Sequence, residues 1–433
     1  MNSTKIPLDL ILEKLAEDAE KVQKRVTKAS DVLLGELNYE LGSTPYEIVY
    51  QEDRVRLKHY SPSETADKLK TPLLVVYALI NRETMLDLQP DRSVVKTFLE
   101  GGVDLYMVDW GYPKRKDRFL TIDDHVNGYM NNIVDFIREK HNMPKINLMG
   151  ICMGGTFSIL YAALHPDKIK NLVTTVTPSN FDTKQGLLHI WMKGVDTDRM
   201  IRTFGNIPGD LMNFGFLLLN PARLMIDKYV GFAENMDNRD FVENFVRMER
   251  WIFDSPDVPG ETFRQFIDDC YKNNLLIQSK MFLGGKRVDL KNLTMPLLNF
   301  YGEYDHLVPP EACNQLTGAV GSRDVEDVCL ETGHIGIYVS SKFQRLFAPK
   351  IVRWLKERDA QEAPRQKTKL RLVAAAKPPK ADKPQPKKET AQAKPASGGK
   401  TRQTKTPKKV KTKLRSATGR RKLSLIDKIN EAI

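Results

Sequence analysis

The chain has 433 residues, 41% of them apolar, and a net charge of +12, enough for one large domain with additions or for two domains. The charge is uneven: residues 360–433 hold 22 Lys/Arg against 5 Asp/Glu, or +17, which leaves −5 for residues 1–359. No apolar signal core precedes Glu13, the uncharged run between Asp210 and Arg223 is too short for a membrane span, and the cysteines at 152, 270, 313 and 329 have neither metal-ligand nor disulfide-framework spacing, so a reducing cytoplasm is the expected location and no metal is expected.

Residues 1–45 are expected to be a helical N-terminal segment, because Ile6, Leu8, Ile11, Leu12, Leu15 and Ala19 recur at helical spacing with charges on the other face. It either packs on the body or presents a docking surface. Tyr46–Tyr50 and Val55–Tyr60 read as an antiparallel pair at a sheet edge. Pro72–Ala78 is a continuous apolar strand of the kind buried on both faces of a parallel sheet. It runs into Leu79-Ile80-Asn81-Arg82. Ser93–Leu99 reads as a short helix and Val103–Trp110 as the next buried strand. Thr121 and Asp124 have capping-box spacing and open a helix with Ile122, Val126, Tyr129, Met130, Ile133, Val134 and Ile137 on one face.

The apolar run Ile146–Met149 then meets Gly150-Ile151-Cys152-Met153-Gly154-Gly155, and a helical run follows from Thr156 to Leu164. Strand, Gly-x-nucleophile-x-Gly, helix is the pattern of the nucleophile elbow of α/β hydrolases, here with cysteine in place of serine. The turn is sharp, so Gly150, Gly154 and Gly155 let strand and helix approach without Cβ atoms between them. It also sets Cys152 at a helix N-terminus, where the dipole favours an anionic sulfur. The bland reading of Cys152 is a buried structural thiol.

Leu172–Thr177 is a further strand. The strand–helix alternation then breaks, and resumes at Met295–Gly302. The expected fold is α/β, an α/β-hydrolase with a mainly parallel sheet and helices on both faces. Its core is split into 46–178 and 294–359. Residues 179–293, rich in Phe, Met and Leu, form an inserted cap suited to a water-excluding cover. Residues 360–433 are a basic tail of Lys, Pro and Ala with too little apolar surface to offset its ordering entropy, so disorder is expected there.

A cysteine nucleophile needs a base, and the base needs an orienting group. Asp305 follows the strand ending at Gly302, and His334 follows the strand Val325–Leu330, in the order nucleophile, acid, histidine. Cys152, His334 and Asp305 are therefore the candidate triad. His306 is a supporting residue beside the acid. The backbone of Met153 and the loop around Asn81 are candidates for the oxyanion site, with a simple turn role for Asn81 as the alternative. His59, His125, His141, His165 and His189 read as ordinary surface or structural residues. Thiolate attack suits thioesters, and a dry site suits an acyl-cysteine that waits for an acceptor.

These residues resemble the polyhydroxyalkanoate synthases. The resemblance rests on the box Gly150–Gly155, Tyr301-Gly302-Glu303-Tyr304-Asp305-His306-Leu307-Val308-Pro309-Pro310, Gly333-His334-Ile335-Gly336, Tyr77–Arg82, Asp109-Trp110-Gly111 and Trp251-Ile252-Phe253-Asp254-Ser255-Pro256, and it covers residues of about 40–358. The compact body is similar to the catalytic subunit of the two-subunit synthases, class III or IV. The resemblance implies that (R)-3-hydroxyacyl-CoA, such as 3-hydroxybutyryl-CoA, acylates Cys152 with His334 as base, that Asp305 assists activation of the 3-hydroxyl for elongation, and that CoA leaves. No cofactor is implied, since CoA is part of the substrate and a product. Also implied are a second synthase subunit, a homo-oligomer, and a place on cytoplasmic polyester granules. Two alternatives stand beside it: a dienelactone-hydrolase-like or thioesterase cysteine hydrolase, and a non-catalytic granule-coating or nucleic-acid-binding protein. The basic tail departs from the family pattern. A flexible polycation of this kind binds DNA through counterion release, and the bland alternative is a solvated tail.

Overall fold

A computed structural model describes residues 41–220 and 228–360; the helix expected within residues 1–40 and the tail beyond residue 360 lie outside the described residues. Eight strands make one sheet: β1 (Glu47–Glu52), β2 (Val55–Tyr60), β3 (Leu73–Val76), β4 (Leu105–Asp109), β5 (Ile146–Ile151), β6 (Ile169–Thr175), β7 (Leu297–Gly302) and β8 (Val325–Leu330). Their spatial order is β1-β2-β4-β3-β5-β6-β7-β8. β1 and β2 pair antiparallel at one edge, and β2 meets β4 antiparallel. All pairings from β4 to β8 are parallel. Every residue of β3, β4 and β5 is buried, as a parallel sheet covered on both faces requires.

The crossovers are helical. In α1 (Val94–Glu100) the Ser93 side chain caps the first turn by accepting from Lys96 N. α2 (Asn131–His141) turns Ile133, Val134 and Ile137 inward and stops at left-handed Asn142. The Thr121/Asp124 box forms in both directions, with Asp124 N donating to Thr121 Oγ1 at 3.1 Å and Thr121 N to Asp124 Oδ2 at 2.7 Å. The helix read from that box runs unbroken to His141, but its first part, Asp124–Met130, is a π-helical stretch that continues into α2. Val126, Tyr129 and Met130 are buried as their spacing requires, and His125 joins them inside. α3 (Met153–Leu164) is buried along nearly its whole length and carries apolar or small residues all round.

Between β6 and β7 the chain leaves the sheet. It forms α4 (Leu187–Lys193), α5 (Thr197–Phe204), α6 (Gly209–Leu217), α7 (Lys228–Glu234), α8 (Arg239–Phe253) and α9 (Gly260–Gln265), and α9 runs into a second π-helical stretch, Phe266–Lys272. Asp196 and Asn238 cap α5 and α8 through Arg199 N and Phe241 N. The region expected from its composition to be an inserted cap also contains a hairpin not anticipated from the sequence, Phe282–Leu283 with Lys286–Arg287. Its turn is Gly284-Gly285, both at positive φ, the conformation a two-residue hairpin loop demands. A second unforeseen hairpin joins Asp87–Gln89 to Arg92–Ser93.

The last helix, α10 (Ser341–Ala360), is pinned at its end. The Asp359 carboxylate accepts from Lys70 N at 2.8 Å, Thr71 Oγ1 at 2.8 Å and Lys170 Nζ at 2.6 Å. Burial raises the pKa of Asp359, but these partners outweigh it and hold the carboxyl below its ordinary range. The parallel strands β3, β5, β7 and β8 all end at the same sheet edge. The loops that follow them carry residues 77–82, Cys152, Asp305 and His334, so the topology gathers the candidate site residues at one end of the sheet.

Candidate active site

Cys152 lies between the end of β5 and the first residue of α3, with φ 52° and ψ −124°. A side chain in that region costs of order 1–3 kcal/mol, so the surroundings must enforce it. They do so through the backbone: Cys152 N donates to Thr175 O at 3.0 Å, and Cys152 O accepts from Gly155 N at 2.9 Å and Thr156 N at 3.2 Å. The three flanking glycines are sterically required. A Cβ on Gly150 would strike Gly155 Cα and Ser158 Oγ, one on Gly154 would strike the Val76 and Tyr77 carbonyls, and one on Gly155 would overlap the Thr177 side chain. Met153 opens α3, and the N–H of a first helical residue has no intrahelical acceptor.

Asp305 and His334 come together on the loops after β7 and β8. His334 Nδ1 and Asp305 Oδ2 are 2.6 Å apart, with Asp305 3% exposed and His334 8% exposed. The other carboxylate oxygen, Oδ1, accepts from Leu307 N and Val308 N, each at 2.9 Å. Asp305 is thus held on both oxygens, which fixes the imidazole with Nδ1–H toward the carboxylate and Nε2 free to serve Cys152. Burial alone pushes the His334 pKa down. The Asp305 charge, Cys152 and the hydrogen bonds to both outweigh it and raise the pKa to about 10. The arrangement suits a strong base that takes the thiol proton and keeps the resulting imidazolium against a carboxylate.

A cavity of about 490 Å³ opens over Cys152. Cys152, Met153, His306 and His334 line its floor with Tyr77, Ala78, Ile80 and Asn81, and the insertion supplies Leu188, Met192, Met212, Met248, Trp251 and Phe263. Few polar groups interrupt this wall, and the methionines give it an adaptable surface. Asn81 has φ 58° and its side-chain amide reaches Ile252 O at 3.5 Å, so the side chain serves a left-handed turn while the residue also borders the cavity. His306 is half-buried and follows Asp305 in the chain.

Residues 71–340 match the family model described as alpha/beta hydrolase fold, and residues 5–98 match that of the poly-beta-hydroxybutyrate polymerase (PhaC) N-terminus. The chain is 48% identical over 353 residues to the poly(3-hydroxyalkanoate) polymerase subunit PhaC of Allochromatium vinosum, covering 81% of this chain and 99% of that protein. This chain belongs to the PhaC family. Other PhaC subunits are similar: that of Thiocystis violacea at 47% identity (81% of this chain, 99% of that one) and that of Synechocystis sp. at 47% (75% and 88%).

Within this PhaC chain, two of the histidines read in the sequence as surface or structural residues lie wholly inside. His125 and His189 are completely buried, and burial pushes each pKa down to about 4. His125 Nδ1 bonds Thr121 O at 2.8 Å, whereas neither ring nitrogen of His189 has a partner among the described residues. His59, His141 and His165 are paired with Asp104, Tyr106 and Asn127. Sequence reasoning also missed Tyr77 and Tyr271. Both phenols are buried, line the cavity, and have raised pKa values from burial first and from Cys152 second. Tyr271 sits in the second π-helical stretch, a local widening that no residue pattern announced.

Proposed function

We propose that the chain is the catalytic subunit of a two-subunit polymerase that joins (R)-3-hydroxyacyl units from CoA thioesters into polyhydroxyalkanoate through an acyl-cysteine. The observation that carries this is the buried Asp305–His334 pair beside a strained elbow cysteine, in a chain 48% identical to a named polymerase subunit. In the proposed acylation, His334 Nε2 takes the Cys152 proton, the sulfur attacks the thioester carbonyl, and the proton passes to the departing CoA thiolate. The α3 N-terminus at Met153 and the loop around Asn81 stabilise the oxyanion. In elongation the same nitrogen accepts the proton of a 3-hydroxyl, that oxygen attacks a neighbouring acyl thioester, the C–S bond breaks, and the proton passes to the departing thiolate. Asp305 acts through His334 in both steps. Its side chain is fully buried and both its oxygens are engaged, which supports orientation and charge stabilisation over direct contact with a hydroxyl. Residues 179–293 serve as the cap over the core segments 46–178 and 294–359, keeping water from the acyl-enzyme.

The finer partner assignments belong to the same proposal: a second synthase subunit, a homo-oligomeric assembly, the surface of polyester granules in the cytoplasm, and DNA as the partner of the basic tail from residue 360 onward. Among the described residues, no helix is long and apolar enough to cross a membrane. The deciding experiment incubates the protein with 3-hydroxybutyryl-CoA and follows CoA release and product together. An insoluble polyester supports the proposal. Stoichiometric soluble 3-hydroxybutyrate would place the chain with the cysteine hydrolases instead.

A further inference from the structure

The loop Tyr77–Arg82 leaves β3 directly above the elbow, and four of its residues share the cavity wall with Cys152 and Met153. Its two ends are held in the same way from opposite sides. At the start, the indole Nε1 of Trp110, the residue after β4, donates to Tyr77 O at 2.9 Å. At the end, the indole Nε1 of Trp251, near the end of α8, donates to Arg82 O at 2.8 Å. Both tryptophans are buried, at 6% and 4% exposed. Between these two bonds the backbone passes through left-handed Asn81, whose amide also reaches α8 at Ile252 O. The Arg82 guanidinium continues the link: it donates to Tyr112 Oη at 2.8 Å, and Tyr112 Oη in turn donates to Asp254, just past α8.

A loop that must hold a backbone donor against a developing oxyanion works only if its position is fixed, because a displacement of about 1 Å can cost on the order of 100-fold in rate. One clamp comes from the sheet, and the other comes from the insertion. We infer that Trp110 and Trp251 are positioning residues for the loop that faces the Cys152 acyl group, and that Trp251 makes the loop's catalytic placement conditional on α8 being seated. The inference rests on the acyl-cysteine reading above. It gives the motif tryptophans a task that hydrophobic packing alone does not require, since a buried phenylalanine packs without a donor.

The test separates the N–H group from the ring. Trp251 is replaced by β-(3-benzothienyl)alanine, which keeps the bicyclic shape and puts sulfur where the N–H was, and in parallel by phenylalanine. Steady-state CoA release from 3-hydroxybutyryl-CoA gives kcat and KM, and thermal unfolding gives Tm. The expected result for the isostere is a fall in kcat of about 10–100-fold with KM within about twofold of the parent and Tm nearly unchanged. Trp251→Phe should show the same kcat loss with a lower Tm. Parent-like kcat in the isostere, or in Trp251→Phe if the isostere fails to fold, overturns the inference and leaves the acyl-cysteine reading standing. A parent protein that forms no acyl-enzyme at all sinks both.

Discussion

The buried imidazole of His189 gives a quantitative prediction that depends on the packing of the insertion rather than on chemistry. The ring lies against Phe181 and Tyr271, at centroid distances of 6.2 and 5.1 Å, with no exposed surface and, among the described residues, no partner on either nitrogen. A buried polar group without a partner costs about 1–3 kcal/mol. His189→Met fills a similar volume with an adaptable apolar chain, so it should stabilise the protein by about 1–2 kcal/mol at pH 7. The pH dependence follows from the depressed pKa. Burial, then Lys193, lower it from 6.5 to about 4, while Asp305 opposes them weakly. Between those values the unfolded chain binds a proton that the folded chain refuses, so stability is fully present above pH 6.5 and falls as the pH drops toward 4. At pH 5 the loss is about 2 kcal/mol from this residue alone. His125 titrates over the same window but is present in both proteins, so the difference between them isolates His189. Urea unfolding of the parent and His189→Met at pH 7 and pH 5 measures it. The variant's advantage should widen by about 2 kcal/mol at pH 5. An advantage that is absent at pH 7 and does not grow on acidification would refute the reasoning.

Three further outcomes follow from the site and the tail. Asp305→Asn should slow acylation and elongation together, by about 100-fold or more, because both run through a histidine that has lost its orienting charge; quenched-flow acylation at the parent rate followed by a stalled acyl-enzyme would instead place Asp305 on the hydroxyl. Gly155→Ala drives a methyl into the Thr177 side chain and should destabilise by about 1–3 kcal/mol in urea unfolding, with part of the loss recovered by Thr177→Ser, which removes one of the atoms in the way. A chain ending at Ala360 keeps the Asp359 anchor and should release CoA like the parent but lose any salt-sensitive mobility shift of DNA, while equal DNA binding by both chains would refute the tail proposal.

The core was legible because its signals are local. A short, β-branched apolar run such as Leu73–Val76, opened by Pro72, reads as a buried strand, and Gly150, Gly154 and Gly155 mark the elbow through contacts that allow no Cβ. Asp305 and His334 were found by their loops, since each follows a strand that ends at the same sheet edge. The insertion was far less readable. Its cavity is assembled from helices remote in sequence, so neither the position of Tyr271 nor the isolation of His189 leaves a mark on the pattern of residues. The π-helical stretches at Asp124–Met130 and Phe266–Lys272 carry no residue pattern that distinguishes a π turn from an α turn. Trp110 and Trp251 were visible as motif residues, but their shared grip on one loop exists only in three dimensions.

The most direct test of the account is chemical. The protein is mixed with isotopically labelled 3-hydroxybutyryl-CoA, quenched in acid within milliseconds to seconds, digested and mapped by mass spectrometry. The account predicts a hydroxylamine-labile acyl adduct on the peptide carrying Cys152, lengthening with time into oligomers and absent from Cys152→Ala. Label on any other residue, or polymer made by Cys152→Ala, would contradict it.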